Sequence, residues 1–311
     1  MLSRVANHLY WLGRYLERTD HLARYINIEY FSSLDSSDQR QHIIALKSII
    51  DMSGMPEVSD KDLKEEDILV SAALDEKNQV SIFTSLYACR ENARSVRESI
   101  STELWEAVNS FYHFVANYPV DVLKTRGLHD FTTNVMQQCS NVRGRINYTL
   151  LHDVGWEFIQ MGLLIERSAQ TVRIMISKLN DIEELNKMKL ESMMEPQQWN
   201  ILLDCLEAKD MCRKYYSTWP DRRSSVEFLL FNPIFPKSVI FNLKELKSCI
   251  TSIQNTVGGI KKGIGFKIGK IISTLEYVEV EDIDEHLDVF LEDTLKKIYL
   301  ISDLIVEAYF S

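Results

Sequence analysis

Leu2-Ser-Arg-Val-Ala-Asn-His-Leu-Tyr-Trp-Leu-Gly13-Arg-Tyr-Leu-Glu17-Arg18-Thr19-Asp-His-Leu-Ala-Arg24 opens the chain. Near the midpoint a second stretch repeats its pattern: Val154-Gly-Trp-Glu-Phe-Ile-Gln-Met-Gly162-Leu-Leu-Ile-Glu166-Arg167-Ser168-Ala-Gln-Thr-Val-Arg173. The shift that lays Gly162 on Gly13 also lays Glu166 on Glu17, Arg167 on Arg18, Ser168 on Thr19 and Arg173 on Arg24. Apolar or small residues fall at Leu2, Val5, Leu9, Leu12, Leu16, Thr19, Ala23 and Ile26 in the first copy. In the second they fall at Val154, Phe158, Met161, Ile165, Ser168, Val172 and Met175. Steps alternating three and four mark one face of a helix, so each copy predicts a long amphipathic helix with a buried seam.

Glu17 and Glu166 lie one residue past a seam position and four residues after a glycine. Helical side chains lean over the preceding turn, so Gly13 and Gly162 leave a notch where each glutamate lies. A glycine costs a helix interior about 1 kcal/mol against alanine. Its presence at both places predicts close approach of a neighbour or a ligand. Arg24 and Arg173 follow along the same stripe. Arg18 and Arg167 point about 100° away and cannot pair with the adjacent glutamate inside the helix. The two glutamates are either clamped by an arginine from another helix or exposed to a ligand or partner. Duplicated helices packed about a pseudo-twofold axis would bring both Glu-Arg pairs to one place.

The chain has 311 residues, enough for one large or two modest domains, and its 45% apolar content is that of a globular protein. Glycine and proline are scarce, at 11 and 6, which predicts long helices with few connections and an all-α fold. The halves divide near 1–150 and 151–311 and are expected to pack as one compact unit. A formal charge of −10 argues against general nucleic-acid binding. Cys89, Cys139, Cys205, Cys212 and Cys249 are scattered, odd in number and without Cys-x-x-Cys spacing. They fit reduced core thiols in a cytoplasmic protein, not a disulfide framework or a zinc site. Charges interrupt the N-terminal apolar run, so no signal peptide is expected, and no stretch is long and apolar enough for a membrane helix.

The first helix is expected from Ser3 to Phe31, a second from Asp38 to Met52, and an acidic surface connection over residues 57–67. Asn78 to Ile82 caps a helix carrying Arg90-Glu91-Asn92-Ala93-Arg94, after which Ser101 restarts a helix through Glu103, Trp105 and Asn109. Arg90, Arg94 and Arg97 are spaced four and three apart and predict one basic stripe. That stripe either receives Glu17 and Glu166, binds a carboxylate or phosphate, or faces solvent. A helix from Leu128 to Arg143 is expected to bend or cross closely at Gly144, and the second Glu-Arg helix to reach Leu179. Pro196 is expected to start a helix, with Trp199 to Trp219 presenting Leu202, Leu203, Leu206 and Met211 on an apolar face. Pro236 stands at the first turn of a helix running to about Asn255. Gly258 to Lys270 invites a phosphate-loop reading, but it is one residue short of Gly-x4-Gly-Lys and has Ile271 where Ser or Thr is needed. It is read as a basic connector. A last helix, from about Ile283 to Tyr309, docks on the bundle.

The two Gly-x-x-hydrophobic-Glu-Arg-Ser/Thr settings and the opening Met1-Leu2-Ser3-Arg4-Val5-Ala6-Asn7 resemble the alpha-E domain family. That is a bacterial all-helical family named for its Glu-Arg motif and largely without an assigned activity. The Arg90-to-Asn109 stretch resembles its second signature. Val226 to Val239 resembles its third, which usually has an Asp and then Phe-Pro-Arg-Ser-Val. Here Asn232 and Lys237 stand at the Asp and Arg positions, so a charged clamp there is not carried over. Proteins of this family commonly occur beside, or fused to, a circularly permuted ATP-grasp protein. The resemblance therefore implies an accessory role in ATP-dependent amide or peptide bond formation.

Glu-x-x-His, His-Glu-x-x-His, Gly-x-Ser-x-Gly and Gly-x-Gly-x-x-Gly are all missing from the sequence, and the seven histidines are dispersed. No metal or cofactor is expected. His21 lies four residues after Glu17, which suggests a surface helix pair. Two readings stay open. In one, the chain is a binding partner of an ATP-grasp ligase, contacted through Arg18, Arg24, Arg90, Glu91, Asn92, Arg94, Arg97, Arg167 and Arg173. In the other it is an enzyme, with Glu17 and Glu166 as acid/base groups and Arg90, Arg94 and Arg97 holding an acidic small molecule or peptide. Self-association is a third, plainer option.

Overall fold

The computed structural model describes residues 2–35, 39–188, 191–257 and 263–310, with backbone alone at 125, 126, 191–193 and 257. Among these residues the chain is all-α, without a strand. Its helices are α1 (Ser3–Leu34), α2 (Gln39–Met52), α3 (Glu65–Leu74), α4 (Ile82–Ser95), α5 (Thr102–Ala116) and a single turn, α6 (Val120–Val122). They continue with α7 (Leu128–Thr149), α8 (Val154–Lys187), α9 (Glu191–Cys205), α10 (Lys209–Tyr216) and α11 (Arg222–Phe231). The last are α12 (Val239–Val257), α13 (Ile264–Glu276), α14 (Val280–Ile283) and α15 (Leu287–Tyr309).

The chain divides into two compact units, Arg14–Leu151 and Met1–Gly13 with His152–Ser311. In the first, α5 packs between α4 and α7, and α3 packs on α2 and α4. The core is the apolar face of each helix: Leu16 and Ile26 of α1, Leu86 of α4, Phe111 of α5, Phe131 and Val135 of α7 are all buried. Polar pins tie α1 to its neighbours, with Tyr25 bonded to Ser48 of α2 and Thr132 of α7 donating to Asn27 Oδ1 at 3.0 Å. Ser81 and Ser101 cap α4 and α5 by accepting from the amides of Thr84 and Leu104, each at 3.1 Å. The restart expected at Ser101 is therefore present.

In the second unit α8 is the central element, buried along most of its length against α9, α12 and α15. Asp153 caps it by accepting from the amide of Gly155 at 2.8 Å. The end of α15 docks by its aromatic residues: Tyr309 lies edge-on to Phe158, and Phe310 contacts Tyr10 and Phe158. Gly13 marks a close approach of two helix backbones. A Cβ there would stand 2.3 Å from the carbonyl oxygen of Ile159. The notch is thus filled by a neighbouring helix.

Several sequence expectations need correction. α7 runs past Gly144 to Thr149, and nothing lies within 4 Å of a Cβ placed there, so Gly144 marks no crossing. α8 extends beyond Leu179 to Lys187, and Pro196 falls inside α9 instead of starting it. The helix expected from Trp199 to Trp219 breaks after Cys205, where Glu207 takes φ +52°, and Met211 is exposed. The segment read as a basic connector is helical from Ile264, because Ile264, Ile268, Ile272 and Leu275 form a buried stripe at helical spacing. Its Gly258–Lys262 portion lies outside the described residues. Arg97 leaves the arginine stripe, since α4 ends at Ser95 and Arg97 begins a separate 3₁₀ turn.

Candidate functional site around Glu17

The helical period puts Glu17, Asp20, His21 and Arg24 of α1 on one face, at the offsets where side chains meet. Glu17 and Asp20 are each 1% exposed and His21 is fully buried. Arg143 reaches across from α7. Its Nη1 donates to Glu17 Oε2 and its Nη2 to Asp20 Oδ2, both at 3.1 Å. One planar guanidinium thus bridges two carboxylates, a geometry that lysine cannot reproduce. His21 Nε2 stands 3.3 Å from Glu17 Oε1, and Arg24 Nη2 donates to Asp20 Oδ1 at 3.3 Å. The Glu17–His21 pair exists, but it is sealed in the interior instead of lying on a surface.

The electrostatics follow from this enclosure. Burial by itself weakens a guanidinium's hold on its proton, but Glu17 and Asp20 outweigh that and hold Arg143 more firmly charged than an ordinary arginine. Cys139 sits one turn before Arg143 on α7. Burial pushes its thiol well above the usual range, Asp20 and Glu17 push the same way, and Arg143 only partly offsets them. A thiol so held stays protonated at neutral pH and is a poor nucleophile. Burial also lifts the Cys89 thiol to about 12 and the Cys212 thiol to about 11. All five cysteines are free and buried, as core residues.

The second copy is built differently. The positions matching Asp20 and His21 are Ala169 and Gln170. Glu166 is 1% exposed and accepts from Gln170 Nε2 at 2.9 Å, in the place where Glu17 has a histidine. Arg167 and Arg173 are half-buried, and Thr171 donates to the carbonyl of Lys237 at 3.0 Å. Arg18 lies over the ring of Tyr15 at 5.3 Å. Glu17 falls in the Arg14–Leu151 unit and Glu166 in the other.

The α4 stripe is an arginine–aromatic ladder. Arg90 Nε donates to Asn109 Oδ1 at 2.8 Å, its Nη1 pairs with Glu91 at 2.8 Å, and its guanidinium lies over the rings of Tyr112 and Trp105 at 4.7 and 5.7 Å. Arg94 also pairs with Glu91, at 3.3 Å, and Arg97, in the 3₁₀ turn after α4, lies over the Trp105 ring at 5.9 Å while donating to Thr102. Asn92 Nδ2 donates to the Ala88 carbonyl, inside its own helix. These arginines find their partners elsewhere, and Glu17 is met by Arg143, which sequence reasoning missed along with Asp20. Asp20 was legible in principle, as an acid three residues after Glu17 on the same face. Arg143 carried no local signal beyond its position one turn after Cys139.

At the two departures from the third signature, Asn232 Oδ1 accepts from the amides of Ile234 and Phe235, at 3.0 and 2.9 Å, and so shapes the turn before α12. Lys237 pairs with Glu207 at 2.6 Å. A charged pair is thus made at this position after all. Among the described residues, no group of three or more His, Cys, Asp or Glu is arranged to hold a metal ion, and no helix is long and apolar enough to cross a membrane.

Comparison with curated proteins and with solved structures returns no significant match. The family described as a predicted alpha-helical domain with a conserved ER motif matches residues 1–310. Glu17-Arg18 and Glu166-Arg167 are the two Glu-Arg dipeptides of this sequence. With essentially its whole length matched, the chain belongs to the Alpha-E family.

Proposed function

We propose that this protein is a non-catalytic helical binding module serving an ATP-grasp ligase in ATP-dependent amide or peptide bond formation. The observation that carries the reading is the burial of the motif glutamates: Glu17 and Glu166 are each 1% exposed. A general acid or base must come within hydrogen-bond reach of the proton it transfers. Glu17 spends its oxygens on Arg143 and His21 instead. The family resemblance supplies the ligase, since proteins of this family commonly occur beside or fused to an ATP-grasp protein.

Light-scattering chromatography of the chain with its ATP-grasp neighbour tests this reading. The expected result is a stable complex, together with no turnover of acidic small molecules or peptides by the chain alone. Absence of a complex, with the chain alone transforming such a substrate, would return Glu17 and Glu166 to the role of acid/base groups.

A further inference from the structure

The outer face of α10 and the loop after it collect the residue types that dominate protein interfaces. Met211, Tyr215 and Trp219 recur every four residues and are 46%, 52% and 70% exposed. Such large apolar side chains remain in water at a cost that a partner's surface would relieve. Met, Tyr, Trp and Arg are enriched in interface cores, and Trp, Tyr and Arg among the residues that carry binding energy.

The patch is preorganised. α10 ends at Ser217, whose φ of +58° turns the chain sharply, and the Arg213 guanidinium lies over the Trp219 ring at 4.3 Å. Beneath it Cys212 is buried and both Tyr215 and Tyr216 contact Phe228 of α11. The far side of the loop is fixed by the capping box of Asp221 and Ser224. Side chains held this way lose little freedom on binding.

Its charge runs against that of the chain. Residues 209–223 hold five bases, Lys209, Arg213, Lys214, Arg222 and Arg223, against two acids, Asp210 and Asp221, in a protein of net charge −10. Lys209, Arg222 and Arg223 are paired with Asp204, Asp284 and Glu281. Among the described residues, Arg213 and Lys214 have no carboxylate partner.

We propose that the Met211–Tyr215–Trp219 face with Arg213 and Lys214 is the docking site for an acidic segment of the partner protein, one that sets carboxylates on the two cations and an apolar side chain against Trp219. This rests on the binding-module reading, under which the partner is the ATP-grasp ligase.

The test is calorimetric titration of the full chain with that ligase, comparing wild type, Trp219→Ala, the Arg213→Glu/Lys214→Glu pair and, as a control, Tyr277→Ala. These side chains are exposed, so melting curves will show whether each variant remains folded. The expected result is a loss of about tenfold or more for Trp219→Ala and for the charge reversal, and none for the control. The charge reversal should also flatten the salt dependence. Equal binding by all four proteins would overturn the docking site while leaving the ligase reading intact. No binding by wild type would overturn the reading and the site together. Self-association abolished by Trp219→Ala, or binding to anionic phosphatidylserine vesicles without ligase binding, would give the patch a different occupant and would also overturn the proposal.

Discussion

Arg143 bridges two buried carboxylates, and removing it would take from Glu17 and Asp20 the guanidinium that they share in the interior. Breaking a buried ion pair at one partner typically costs about 3–5 kcal/mol. Arg143→Ala is therefore expected to lower the urea-unfolding free energy by about 3 kcal/mol, with Arg143→Lys recovering only part of it. A loss below about 1 kcal/mol would mean that the clamp contributes no more than a surface pair. The glycines make opposite predictions. Gly13→Ala sets a methyl against the Ile159 carbonyl and is expected to destabilise by about 1–3 kcal/mol. Gly144→Ala enters open space in a helix and should stabilise by up to about 1 kcal/mol. Thermal melts of the two variants moving in the same direction would contradict this pairing. Asn232 uses only its oxygen, and its Nδ2 is buried without an acceptor. Asn232→Asp keeps the acceptor and removes the orphan donor, so an unchanged or higher Tm is expected. At this scale the sequence located Glu17 and the close approach at Gly13, because both sit on a periodic seam. It could not locate Arg143, because the pairing of α1 with α7 is a contact between residues far apart in the chain.

α4, α5, α8 and α11 begin at side chains that satisfy free amides of the first turn. Ser101 was legible for that reason, standing directly before an apolar-periodic run. The break after Cys205 was not, because Leu202, Leu203 and Leu206 keep helical spacing across a turn in which Glu207 is left-handed. The same limit applied to α13, where Gly263, Gly265 and Gly269 masked an isoleucine stripe. The cap of α11 gives a pH prediction. Hydrogen bonds from Ser224 hold the Asp221 carboxyl below its usual value of 3.8. A carboxyl whose folded pKa is lowered stabilises the fold above the unfolded pKa, and this contribution disappears as pH falls through the folded value. Asp221→Ala should cost about 1 kcal/mol at neutral pH. The Tm difference from wild type should shrink as pH drops below about 3.8. A difference that does not change with pH would assign the effect to packing instead.

At the scale of the whole chain, low glycine and proline content and two long amphipathic seams made the all-α fold legible. Function was less so, because the residues that mark the family are spent on the interior. Glu17 and Asp20 answer Arg143, Glu166 answers Gln170, and Arg90 answers Glu91 and Asn109. Motifs identify the frame; the surface proposed to meet a partner carries no such signature and shows only as exposed Trp219 and Tyr215 on a basic segment. The central claim is that the Glu-Arg helices are structural and that activity lies in partner binding. The most direct measurement is calorimetric titration of the ATP-grasp ligase with the Glu17→Gln/Glu166→Gln protein, at a temperature where melting curves show it folded. The account predicts a lower Tm but a Kd within about tenfold, or about 1.4 kcal/mol, of wild type. A folded variant with undiminished Tm that no longer binds, or a wild-type chain that turns over substrate where this variant does not, would contradict it.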